Sequence, residues 1–162
     1  MLIDLLVDVA ETLEIALTPY APQRVTVTPG EPPAPSGNCP AVWVWSSGMY
    51  HSTEGPQRSG DEAVCFYRRT YQIHYRIDIC MPVEVSDLTT AQFLEVSEQI
   101  YGMSDTAWCA LSYAAANSTL FQTIGDCEDV KVRELVITEP QGGFVSAEGT
   151  ILVTDPCDPP GS

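Results

Sequence analysis

Basic residues are scarce in this chain. Seven lysines and arginines face 22 aspartates and glutamates in 162 residues, a formal net charge of −15. A field of that sign repels nucleic acid and acidic lipid surfaces. It allows DNA to pass without being held, and it also serves plain solubility. Histidine is scarcer still: only His51 and His74 are present. There is no H-E-x-x-H, G-x-S-x-G, P-loop or G-x-G-x-x-G, so no familiar catalytic or nucleotide-binding signature stands in the chain. Long apolar runs are missing too, and no stretch of about 18 residues reads as a membrane span. The start, "MLIDLLVDVAETLEIAL", carries four acids. It lacks the basic beginning, the unbroken apolar stretch and the small-residue cleavage site of a secretory signal. The expectation is a protein made and kept in a cytoplasm.

Cysteine is not scarce, but its spacing excludes much. The six cysteines stand at 39, 65, 80, 109, 127 and 157. None are spaced as in a zinc knuckle, and no C-x-x-C pair exists. Most are expected to be small apolar core residues. Disulfides formed after release from a reducing cell are the alternative. Asp126, Glu128 and Asp129 in "GDCEDV" do not have EF-hand spacing and read as an acidic turn. No metal, cofactor or catalytic site is expected, and the chain is read as a non-enzyme. A small cytoplasmic enzyme or ligand-binding domain is the competing class, and it would show a concave pocket with convergent polar groups.

What is present points to one α+β domain over residues 1–155. The apolar fraction of 44% is that of a folded domain. Leu2, Leu5, Leu6, Val9, Leu13 and Ala16 fall at helical spacing, with Asp4, Asp8, Glu11 and Glu14 off that stripe, so residues 2–17 read as a helix. Pro19 and Pro22 end it. "RVTVT" fits a short strand, and "AVWVWSSGMY" at 41–50 a longer one. Between them, residues 29–40 hold five prolines and two glycines and read as an extended surface loop. Residues 51–63 form a second long polar loop. Residues 87 to about 117 read as a helix or a broken pair. Phe93, Val96, Ile100, Met103, Ala107, Leu111 and Ala114 form its stripe, Thr89 and Gln92 a capping box, and Gly102 a break. "VKVRELVIT" and "FVSAEGTILVT", joined by "EPQGG", read as a hairpin. Residues 156–162 read as a flexible tail. The expected sheet is mostly antiparallel, with the N-terminal and the long central helix packed against one face.

"CFYRRTYQIHYRIDIC", residues 65–80, carries the clearest pattern. Tyr71, Ile73, Tyr75, Ile77 and Ile79 alternate with Thr70, Gln72, His74, Arg76 and Asp78, the mark of a strand with one buried and one wet face. Cys65 and Cys80 fall at opposite ends of that strand, roughly 50 Å apart if straight, and cannot share a bond or a metal. Arg68, Arg69, His74 and Arg76 concentrate base on it. Too few for a nucleic-acid footprint, they suit contact with carboxylates of a neighbouring copy. Trp43 and Trp45 share one face of their strand, and Val42 and Val44 share the other. That strand is either central and covered on both sides or meets a partner. These six residues are the candidate subunit interface.

Four phrases, "TPYAPQRVTVTPGEPP", "CPAVWVW", "RRTYQIHYRIDIC" and "GGFVSAEGTILVTDPC", together with the two helices, resemble tail terminator proteins of long-tailed bacteriophages, especially those of actinobacterial phages. With the helices they cover nearly the whole chain, and none is a catalytic motif. The resemblance implies a homo-oligomeric ring, typically hexameric, on the finished tail tube. Such a ring ends tube polymerisation and joins the tail to the head-to-tail stopper or connector. The implied partners are further copies of the chain, the tube protein and the connector. Genomic DNA would cross the channel without specific binding, and no membrane is involved. The implied location is the virion neck, after assembly in the bacterial cytoplasm. Related neck proteins, such as the head-to-tail stopper, an adaptor or the tube protein, share this kind of sheet.

Overall fold

The amphipathic start folds as its spacing requires. Helix α1 (Leu2–Ala16) buries Leu5, Leu6, Val9, Ala10 and Leu13 and leaves Glu11 and Glu14 in solvent. Pro19 has no N–H to continue the ladder. The chain therefore leaves the helix through a 3-10 turn, Thr18–Tyr20, where the Thr18 hydroxyl donates to the Glu14 carbonyl at 2.9 Å. The computed structural model describes residues 2–52, 68–117 and 129–156. After α1 come β1 (Arg24–Val27), β2 (Ala41–Ser52), β3 (Arg68–Cys80), α2 (Thr90–Ala116), β4 (Asp129–Ile137) and β5 (Phe144–Pro156). Of the polar loop expected at 51–63, His51 and Ser52 belong to β2, and of the tail expected at 156–162, Pro156 belongs to β5; the rest of both, with Cys65 and the acidic turn at 125–128, lies outside the described residues.

The five strands form one sheet in the order β1-β2-β3-β5-β4. β1 runs parallel to β2, and every other pair is antiparallel. Both helices pack on one face: α1 over β1 and β2, α2 over β3, β5 and β4. This is the expected α+β architecture. The core lies between the layers. Tyr71, Ile73, Tyr75, Ile77 and Ile79 of β3 join Val42 and Val44 of β2 and Leu13, Met103 and Leu111 of the helices in one buried cluster. Each fully buried aliphatic side chain contributes about 1.5–3 kcal/mol.

Helix α2 starts where the sequence says. The Thr89 hydroxyl accepts from the Gln92 N–H at 3.2 Å, and the Gln92 side chain accepts from the Thr89 N–H at 3.1 Å. Two expectations along it need correction. Gly102 does not break the helix, which runs unbroken through it. It gives room to Tyr20, whose hydroxyl would lie 2.6 Å from a Cβ at that position. Phe93 is not core but 57% exposed; the stripe is buried only from Ile100 onward, with Val96 packed at its margin.

The β4–β5 hairpin closes through Gly142 and Gly143, with φ of 58° and 82°. Positive φ at both central residues is what a type I′ two-residue hairpin turn demands. Farther along β5, Gly149 stands opposite Tyr75 of β3. A Cβ there would overlap the Tyr75 ring, which is fully buried. Gly149→Ala is expected to lower stability by about 3 kcal/mol through overpacking, read as a lower urea midpoint. Gly142→Ala lies in open space but at positive φ, and should cost about 1 kcal/mol.

The proline-rich segment 29–40 is the extended, largely exposed surface segment expected, tied down where Pro32 is buried and the Pro33 carbonyl accepts from Arg76 Nη2 at 2.6 Å. Its last cysteine, Cys39, is disulfide-bonded to Cys80 at the end of β3. Cys109 is free and exposed. None of the three described cysteines is therefore an apolar core residue. Antiparallel register brings Cys39 to Cys80: they lie two residues beyond the paired positions Ala41 and Asp78.

Candidate interaction surfaces

The sheet face without helices carries Trp43, Trp45, His74 and Arg76 of the residues singled out from sequence; Arg69 lies on the other. Trp43, Arg76 and Glu148 stand in one cross-strand row, and Trp45, His74 and Thr150 in the next. The alternation of β3 is as expected, but this face is not uniformly wet. Thr70, Arg76 and Asp78 are buried on it, at 4%, 7% and 1% exposure. Pro33 and Trp43 lie against Arg76 and Asp78, and the Thr70 hydroxyl shares a hydrogen bond with that of Thr154 at 3.2 Å. Arg76 Nε donates to Asp78 Oδ1 at 2.8 Å and Nη2 to Oδ2 at 3.0 Å. The Ser146 hydroxyl donates to Oδ1 at 2.6 Å, and the Trp43 indole N–H to Oδ2 at 3.0 Å. Arg76 and Trp43 are thus engaged inside the subunit. Arg24 lies over the outer side of Trp43, with its guanidinium carbon 4.8 Å from the ring centre.

The tryptophan strand is covered on both faces between Ala41 and Trp45, so the central-strand alternative describes it. Arg69 is half-buried on the helix side of the sheet, in the parity of Tyr71. Arg68 pairs with Ser52 and Pro156 along the backbone; its side chain lies outside the described residues. The structure therefore brings Trp43, Trp45, His74 and Arg76 together and leaves Arg69 on the other face.

His74 is the titratable member of that group. Its ring stacks on Trp45 at 5.3 Å between centroids. Nδ1 lies 3.1 Å from the Thr150 hydroxyl and Nε2 2.6 Å from the Ser47 hydroxyl. Burial lowers its pKa below the ordinary 6.5, with the Glu148 carboxylate pulling the other way. The folded protein then holds this ring neutral while the unfolded chain binds a proton. The corresponding stability is complete above the unfolded pKa and is lost as the pH falls towards the folded one. His74→Gln is expected to flatten the fall in urea midpoint between about pH 7 and pH 5. An unchanged slope would show that His74 is not its source.

A second surface was not singled out from sequence. A groove of about 610 Å³ runs between α2 and β4, lined by Tyr101, Trp108, Val132, Leu135 and Ile137 among others. Tyr101 is 63% exposed and Trp108 41%. The Trp108 indole N–H donates to the Arg133 carbonyl at 3.1 Å, at the irregularity of β4 between Val132 and Leu135. The signal was present: Leu94, Tyr101 and Trp108 recur at seven-residue steps on the flank of the buried stripe, a second apolar line on one helix.

Among the described residues no cluster of histidine, cysteine, aspartate and glutamate could hold a metal ion. No helix there is long and apolar enough to cross a membrane. No protein family matches the chain. A search of curated proteins finds no significant relative.

Proposed function

We propose that this chain is a tail terminator of a long-tailed bacteriophage. It forms a ring on the end of the tail tube, ends tube polymerisation and presents a surface to the head connector. The observation that carries this reading is where the resembling phrases fall. They supply β1, the buried first half of β2, the whole of β3, and β5 with its turn. The two helices that the resemblance takes in pack together on one face of that sheet, and β4 is the one described strand outside the phrases. The phrases are thus the framework of the fold and not its periphery. The charge of −15 suits a channel wall that DNA must traverse without sticking. Subunits of a ring need two different complementary patches, and the helix layer supports that with distinct apolar surfaces on α1 and on the α2–β4 side.

The test is negative-stain imaging of the purified protein alone and after incubation with phage tail tubes. Closed rings with a central hole, and tubes capped at one end, are expected. A tube protein would instead polymerise onward, and a stopper would ignore bare tubes. A chain that neither forms rings nor binds tubes would favour a pocket-bearing domain over this reading.

A further inference from the structure

Strand β2 carries one residue more than β3 at its middle. Ser46 pairs with Ile73 and Gly48 with Gln72, so Ser47 is the extra residue of a bulge. A bulge re-aims a side chain, and this one turns the Ser47 hydroxyl to His74. Its Oγ lies 2.6 Å from His74 Nε2 and 2.9 Å from Gln72 Oε1. The ring is held from two further directions: Nδ1 by the Thr150 hydroxyl at 3.1 Å, and its face by Trp45. A hydroxyl within hydrogen-bond reach of an oriented imidazole is the arrangement that activates a serine. Ser47 and His74 stand 27 positions apart on neighbouring strands, so no short motif marks them in the sequence.

We propose that Ser47 and His74 form a reactive pair, with Ser47 Oγ the nucleophile towards small activated esters and His74 Nε2 its general base. In the step, the bond from Oγ to the acyl carbon forms and the bond from that carbon to the leaving oxygen breaks. The Ser47 proton passes to Nε2 and then to the leaving oxygen. Water later releases the acyl group as a carboxylic acid and restores the serine. The groups around the ring favour this. Burial lowers the His74 pKa below the ordinary 6.5, so the ring is neutral at pH 7 and able to take a proton. The Glu148 carboxylate pulls the other way and favours the imidazolium that forms as the proton moves. Arg76, two positions along β3, is paired with Asp78. The Ser47 hydroxyl has one proton and two acceptors in reach. When it points to Nε2, the Gln72 amide can turn its NH2 to Oγ. Ser47 is exposed, which suits small activated esters and not a substrate that needs enclosing. The pair stands independently of the ring reading above.

The experiment treats the full chain with p-nitrophenyl acetate after its free thiols have been alkylated with iodoacetamide. Nitrophenolate release is followed against a blank without protein, and peptide mass spectrometry locates the acetyl group. Acetyl is expected on Ser47 well ahead of other exposed serines such as Ser36 and Ser86. Ser47→Ala should lose it. His74→Gln should slow it about a hundredfold, the low end for a general base, while circular dichroism shows the fold kept. The wild-type rate should rise with pH through a midpoint below about 6.5 and then level off. That profile also decides the matter if His74→Gln does not fold. Acetyl spread evenly over Ser36, Ser47 and Ser86 overturns the proposal. So does Ser47 acetylation at an unchanged rate in His74→Gln, or a wild-type rate without such a midpoint. In each of those cases the contact only fastens the bulge.

Discussion

Asp78→Ala is expected to lower the stability of the folded subunit by about 3–5 kcal/mol, the usual cost of leaving a buried charge without its partner. Its carboxylate accepts from four donors: Arg76 Nε, Arg76 Nη2, the Ser146 hydroxyl and the Trp43 indole. The side chains of Arg76 and Asp78 are 8% and 2% exposed. Removing the carboxylate strands a guanidinium whose remaining acceptor in that group is the Pro33 carbonyl. Urea unfolding should show a lower midpoint with an unchanged slope. The loss should not depend on protein concentration, because the network lies within one subunit. The control is the joint replacement Arg76→Met with Asp78→Leu. Apolar residues of similar volume remove both charges together and should recover most of the loss. An Asp78→Ala protein as stable as wild type would mean that the network holds nothing together.

The period of two in β3, the stripe of α1, the capping box at Thr89 and the Gly-Gly turn are local signals, and the elements follow them. What lies over the second face of β3 is not local. Arg76 and Asp78 look like exposed residues of an amphipathic strand until Pro33 and Trp43 are brought onto them from the preceding loop and strand. Segment 29–40 reads as a surface loop from its prolines alone, since nothing in a proline run states what it packs on. Helix propensity marks Gly102 as a break, but the helix runs through it and the Tyr20 hydroxyl fills the room it leaves. The groove beside α2 was legible in principle, because Leu94, Tyr101 and Trp108 share a line, but the buried stripe explained the helix without it. The cysteine pair was legible too. Once β2 and β3 are read as antiparallel neighbours, Cys39 and Cys80 fall opposite each other.

Breaking that pair is the other change with a large expected effect. The Cys39–Cys80 bond links residues 41 positions apart, around β2 and most of β3. Closing a loop of that length removes chain entropy from the unfolded state worth about 4 kcal/mol, and observed gains are commonly about 2–4 kcal/mol. Reduction, or Cys39→Ser with Cys80→Ser, should therefore cost about 3 kcal/mol and lower Tm by roughly 10 °C for a domain of this size. The protein should still fold. Pro32 remains a buried residue of the strap, and Arg76 still reaches the Pro33 carbonyl. The fluorescence of buried Trp43 should therefore change little on reduction. A large red shift would mean that the bond alone holds the strap down. An unchanged Tm would mean that the pair is not oxidised in the protein as purified. The difference bears on function through compartment. A reducing cytoplasm keeps such a pair as thiols, and an oxidising exterior closes it. A subunit assembled inside a cell and carried out of it would gain this stability after assembly, when the particle must persist unaided. Thiol counting on denatured protein, taken before and after exposure to air, separates the two states directly.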